Sequence, residues 1–203
     1  MQLHKRDVVD AATTLLDNFG IADLTMRRLA RELDVSPGAL YWHFANKQQL
    51  LGAVADRILD SVGDVSADWQ DRVAGICGRL RDALLSHTDG GELVSASFAA
   101  GQSEAMAQIL ARLTDAAADA GVDLTHAELA ARTVVYYVLG FTADEQSRLQ
   151  WDAAGAELPD GQSVLSEDSS ARFAFGLRLL IDGIAAHRAS LDAVADDGVQ
   201  SRN

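Results

Sequence analysis

Apolar residues recur at three- and four-residue spacing along most segments of this 203-residue chain, and no segment sustains an apolar–polar alternation. That is the period of amphipathic helices. With only Pro37 and Pro159 to interrupt it, the expected fold class is all-α. The length allows one large domain or two units that share a boundary.

The N-terminal third divides into four helices by its capping signals. The first spans about 4–19, with Val8, Ala12, Leu15, Leu16 and Phe19 on one face and Gly20 as its stop. Thr25 is placed to cap a second, short helix that ends near Leu33, where Asp34 suits a left-handed turn. Ser36-Pro37 starts a third helix over about 37–43, because proline at the first helical position lacks only an N–H that the helix does not use. Asn46, with Gln49 three residues on, caps a fourth that reaches about Val62.

Two short helices joined by a tight turn and backed by a longer first helix are the helix-turn-helix arrangement, whose second member enters the major groove of DNA. The start of that member, Ser36-Pro37-Gly38-Ala39, carries minimal side chains, so its backbone can approach bases or phosphates closely. Leu40 and Phe44 are expected in the core. Tyr41, Trp42 and His43 then face outward with a hydroxyl, an indole N–H and an imidazole available to phosphates. Taken over the whole chain, the net charge of -13 opposes such a partner. Residues 1–50, however, balance six Lys/Arg against six Asp/Glu, so the whole excess of negative charge lies in the remainder. DNA would be repelled everywhere except at the head.

Past residue 63 the expected helices are longer. A stripe of Trp69, Val73, Ile76, Leu80 and Leu84 ends at Asp89-Gly90-Gly91, and further helices are expected over about 93–99 and 103–120. Thr125 is read as the cap of a helix over about 126–150. A long exposed loop follows over about 152–170, then a last helix over about 171–187 and a polar, frayed tail over 189–203. Cys77 sits on an apolar stripe and cannot form an intrachain disulfide, which suits a reducing cytoplasm. No apolar run approaches the roughly 20 residues needed to span a bilayer. No nucleophile elbow, phosphate loop or paired-cysteine motif is present, so the sequence supports no catalysis, cofactor or metal site. His4, His126 and His187 read as surface residues, and Asp144-Glu145 as a solvated helix end.

The run from Leu24 to Leu51, LTMRRLARELDVSPGALYWHFANKQQLL, resembles the DNA-binding signature of the tetracycline-repressor family, strongly over about residues 4–60. Weaker similarity to that family's ligand-binding half continues through Trp69–Gly90, Leu139-Gly140 and Phe175–Ile181. The resemblance implies a homodimer that reads a palindromic operator, with two recognition helices about 34–36 Å apart. It puts Thr25, Arg27, Tyr41, Trp42, His43 and Lys47 at phosphates, with Arg27, Pro37, Gly38 and Ala39 nearest the bases. It also aligns Val94 with a histidine that helps hold a magnesium–drug complex, and Ser97 and Asp144 with a threonine and a glutamate near that metal. Since valine cannot ligate, magnesium–tetracycline is not the expected effector. An apolar or aromatic effector is expected instead, among Leu80, Leu84, Phe98, Met106, Leu113, Tyr137 and Phe141, with His87 or Tyr136 as polar partners.

The expected organisation is a DNA-binding head over 1–45, a linking helix over 46–62, and a ligand-binding and dimerisation domain over 63–188. The expected function is a ligand-responsive regulator, a repressor released when effector binding tilts the linking helix. The alternative is a helical small-molecule binding protein that has lost DNA binding.

Overall fold

The structure is a computed structural model that describes residues 3–155 and 168–200, with side chains described as far as His187. Among the described residues it is built of helices: α1 (Lys5–Asp23), α2 (Met26–Glu32), α3 (Pro37–Tyr41), α4 (Lys47–Leu59), α5 (Trp69–Leu85), α6 (Gly90–Ala99), α7 (Glu104–Asp119), α8 (Leu124–Ala153) and α9 (Ser169–Gln200). The expected loop over 152–170 falls largely on residues 156–167, outside the described ones, as do residues 201–203 of the expected tail. The last helix passes its expected end at His187 and runs to Gln200.

Two compact units divide the chain. The first holds the chain up to Gly63, the segment Arg79–Gln108 and α8 from Leu139 onward. The second holds Asp64–Gly78, Ile109–Val138 and α9. α5, α7 and α8 therefore each contribute to both.

In the first unit, α1, which buries Val8, Ala12, Leu15 and Leu16, packs against α2 and α4, and α2 packs against α3; Leu29, Leu40, Leu50 and Val54 of those helices are buried, as is Phe44 in the turn after α3. Each fully buried Leu or Phe is worth about 1.5–3 kcal/mol, which lets a helix as short as α3 hold its place. The caps are local. Thr25 Oγ1 accepts from Arg28 N–H at 3.2 Å, and Asn46 Oδ1 accepts from Gln49 N–H at 2.9 Å. Ser36 occupies the N-cap position of α3 without a side-chain hydrogen bond, so proline and the buried Leu40 define that start. Asp34 adopts the left-handed turn, with φ 52°.

Several expectations need correction. Gly20 breaks the helical path with φ 76°, yet α1 resumes for one turn to Asp23, since glycine takes this backbone without strain. Phe19 is 52% exposed rather than buried, with the Arg28 guanidinium stacked on one face at 3.9 Å from its ring centroid. The stripe of α5 ends before Asp89 as expected, but α6 begins at Gly90 rather than near residue 93, and Asp89 makes the turn in the left-handed region at φ 54°. Asp123, not Thr125, caps α8, as Thr125 donates both its N–H and its hydroxyl to Asp123 Oδ1. Those bonds and one from His126 hold the Asp123 carboxyl well below the usual carboxylate range.

Asp144 and Glu145 lie within α8 rather than at a helix end. Glu145 is buried and takes both nitrogens of a bidentate Arg81 fork, Nε at 2.9 Å and Nη2 at 2.6 Å. Beside it, Gln146 Nε2 donates to the carbonyls of Leu84 and His87, and its Oε1 accepts from Gly91 N–H at 2.9 Å. One amide thus satisfies both the end of α5 and the start of α6.

In the second unit, Val134, Val135 and Val138 of α8 are buried together with Ile109, Leu113, Ala116 and Ala117 of α7 and Phe173 and Leu177 of α9. Tyr137 donates its hydroxyl to Phe173 C=O at 2.8 Å and stacks on the Phe173 ring at 5.6 Å between centroids. Arg72 pairs with Asp119, and Arg112 with Asp64 at 2.9 Å.

Candidate nucleic-acid interface and its links to the body

The second helix of the pair, α3, has only five residues, and it is anchored by Leu40 within it and Phe44 in the turn that follows, which are 0% and 1% exposed. With those side chains fixed inward, Tyr41 is left half exposed and Trp42 is 90% exposed. His43 is intermediate. Pro37 and Gly38 are exposed and Ala39 is partly so, which leaves the backbone at the start of α3 open to approach. Thr25 and Arg27 are exposed at the start of α2, and Lys47 is half-buried at the first position of α4. An apolar indole with nine-tenths of its surface in water has no packing role within this chain.

α4 runs from this surface into the rest of the first unit and packs against both α1 and α6. Near its end, Asp56 Oδ1 accepts from Ser103 Oγ at 2.7 Å and from Ala105 N–H at 3.0 Å, while Ser103 Oγ caps α7 by accepting from Met106 N–H at 3.1 Å. Gly52 passes so close to the α6–α7 turn that a Cβ there would lie 2.1 Å from the Gln102 carbonyl oxygen. A second link joins α1 to the α5–α6 turn. Asp17 takes a hydrogen bond from His87 Nδ1 at 3.0 Å and one from Thr88 N–H, and Asp89 Oδ2 accepts from Ile21 N–H at 2.8 Å. Sequence reading missed both links, because single aspartates on polar faces give no periodic signal.

The residues expected around an effector are distributed over both units. In the first, Leu80, Leu84 and Met106 are fully buried, Phe98 and Phe141 are half-buried, and His87 is turned toward Asp17. In the second, Leu113 is buried, Tyr137 is bonded to α9, and Tyr136 is 58% exposed. The buried hydroxyls of Ser97 and Thr142, on α6 and α8 of the first unit, have no hydrogen-bond partner. The α6–α8 groove of that unit, about 430 Å³, is lined by other residues, among them Glu92, Ser95, Ala143 and Gln150. Asp144 is exposed.

Residues 8–54 match the bacterial regulatory proteins of the tetR family, and residues 63–162 match the tetracyclin repressor-like C-terminal domain. The class A tetracycline repressor of transposon 1721 from Escherichia coli is 32% identical, over 92% of this chain and 93% of its own length. The crystal structure of Mycobacterium smegmatis BioQ superposes with a TM-score of 0.85 at 62% identity, covering 92% of this chain and 99% of that one. A structure of BioQ with its double-stranded DNA operator gives a TM-score of 0.80 at 60% identity, over 92% and 100% of the two chains.

The chain belongs to the tetR family of bacterial transcriptional regulators. It is a ligand-responsive DNA-binding regulator, with DNA and a small-molecule effector as partners. No helix of the described residues is long and apolar enough to cross a membrane.

Proposed function

We propose that this protein is a repressor that holds a palindromic operator through Tyr41, Trp42, His43, Thr25 and Lys47 at phosphates, with Arg27 and the Pro37-Gly38-Ala39 backbone at the bases. The 90% exposure of Trp42 beside the buried Leu40 and Phe44 carries this reading. The identity of about 60% to BioQ supports the same class of operator as BioQ binds. Binding through phosphates is salt-dependent, and the acidic remainder of the chain opposes any docking mode except head-first.

The functional division is a head over 1–45, a linking helix over 46–62 and a regulatory domain over 63–188. Effector binding among the residues expected around it moves α4 through Asp56 and Gly52, and the two recognition helices of a dimer leave their register with successive grooves. Leu129 and Tyr136 on α8, with Phe175 and Leu179 on α9, are large and exposed, and they support dimerisation through those helices. The protein works in the cytoplasm and is not an enzyme. Membership of the tetR family of bacterial regulatory proteins supports both.

Selection of bound sequences from random DNA tests the reading. The expected product is a palindrome that competes with the BioQ operator, and a screen of small apolar and aromatic compounds then finds one that releases it. Enrichment of no sequence, or equal operator affinity with and without every compound that binds the protein, overturns it.

A further inference from the structure

Asp123 and His126 stand 64 and 61 residues before His187, yet one ligand atom from each of the three lies within 4.8 Å of the other two. Asp123 and His126 are three residues apart at the first turn of α8, so they share a face, with Asp123 Oδ2 2.6 Å from His126 Nδ1. His187 arrives from α9, its ring 5.9 Å from that of His126 in an edge-on arrangement. Gly183 lies one turn before His187, and a Cβ there would meet nothing within 4 Å, so the space beside the two imidazoles is open. The Asp123 carboxyl divides its work. Oδ1 takes the two capping bonds of α8, while Oδ2 faces the histidines.

We propose that Asp123, His126 and His187 form a binding site for a divalent transition-metal ion of the zinc class. Two imidazoles and one carboxylate are the donor set that such ions prefer over magnesium or calcium, which select oxygen. Tetrahedral ligands with bonds of about 2.0–2.1 Å stand about 3.3 Å apart, so closing the 4.8 Å triangle needs only rotation of three exposed side chains. Three protein ligands leave a fourth position for water. The ion displaces the hydrogen bond between Asp123 and His126 and ties the start of α8 to α9. The capped Asp123 and the helical backbone hold two of the three ligands in place before the ion arrives, which lowers the ordering cost of binding.

The test is a chelator-competition titration of the full-length protein with Zn2+ after metal removal, followed by thermal unfolding with and without Zn2+. About one Zn2+ per chain is expected, with a rise in the unfolding midpoint. His126→Ala and His187→Ala each weaken binding at least about tenfold, and Asp123→Asn does so too, while His4→Ala and His43→Ala leave it unchanged. His187→Gln serves as a second variant that keeps the helix and side-chain length. Mg2+ at equal concentration is expected to give no midpoint shift. The proposal is overturned if the wild type binds Zn2+ no more tightly than the His126→Ala/His187→Ala double variant. It is also overturned if His4→Ala or His43→Ala abolishes binding instead. Either result would leave the cluster as an exposed hydrogen-bonded group, and neither bears on operator binding.

Discussion

Asp56, on the helix that begins beside the DNA-binding surface, accepts a hydrogen bond from the Ser103 hydroxyl at 2.7 Å and thereby shares in capping α7. The helix that starts at Asn46 and Lys47 therefore ends fastened to the start of α7 by a charge-assisted bond. Removing the carboxylate leaves Ser103 Oγ–H and Ala105 N–H without their acceptor. Asp56→Ala is expected to cost about 1–3 kcal/mol in denaturant unfolding and to speed hydrogen exchange at Ala105. Gly52→Ala tests the same joint by steric means, since its Cβ would sit 2.1 Å from the Gln102 carbonyl oxygen. It should displace α4, lower stability by about 1–3 kcal/mol and weaken operator binding. Unchanged exchange and unchanged operator affinity in both variants would show that α4 is not coupled here.

Trp42 is the residue at which a proposed DNA contact can be tested apart from folding. Because 90% of it is exposed, Trp42→Ala should leave the unfolding free energy within about 0.5 kcal/mol of wild type. Operator affinity should nevertheless fall by about fivefold or more, equivalent to about 1 kcal/mol. Lys47→Ala should flatten the dependence of log affinity on log salt by about 0.9 if its ammonium meets one phosphate. Anisotropy titrations at several salt concentrations measure both, and a full-slope Lys47→Ala variant would remove that residue from the phosphate contacts.

Arg81 and Glu145 form a bidentate pair whose side chains are each 10% exposed. Breaking it from one side strands a charge. Glu145→Gln or Arg81→Met alone is expected to destabilise by about 3–5 kcal/mol, whereas the double variant Arg81→Met/Glu145→Leu should recover much of that loss. Denaturant unfolding of the three variants decides the matter; additive losses would mean that the two groups do not act as a pair.

These contrasts explain which features were legible in sequence. Thr25 and Asn46 cap their helices with bonds to residues three positions on, and Leu40 and Phe44 point inward at helical spacing, so the head follows from local chemistry. Glu145 looked solvated because its partner is 64 residues away. Phe19 fits the apolar stripe in sequence, but it lies just before the break at Gly20 and stays half exposed, with Arg28 of the next helix on one face of its ring. Asp123 and Thr125 are both good caps two residues apart, and only the backbone path selects between them. The histidines at 126 and 187 carried no ligand spacing because α8 and α9, not the sequence, bring them together.

Cys77 gives the pH dependence a definite sign. Its side chain is fully buried, and desolvation of the thiolate pushes its pKa from 9.0 up to about 12. Between those values the unfolded chain releases a proton that the folded chain keeps, so the folded state binds more protons and stability falls as pH rises. Below pH 9 the contribution is fully present, and by about pH 12 it is lost. The slope from this group is at most about 1.4 kcal/mol per pH unit. Comparing Cys77→Ala with wild type in denaturant unfolding across this range isolates it from the other groups that titrate there, and the variant should show the shallower fall. The same burial keeps the thiol from reacting with a disulfide reagent near neutral pH until the protein unfolds. Labelling of the native protein as fast as of the unfolded chain would contradict the enclosed position of Cys77 on α5.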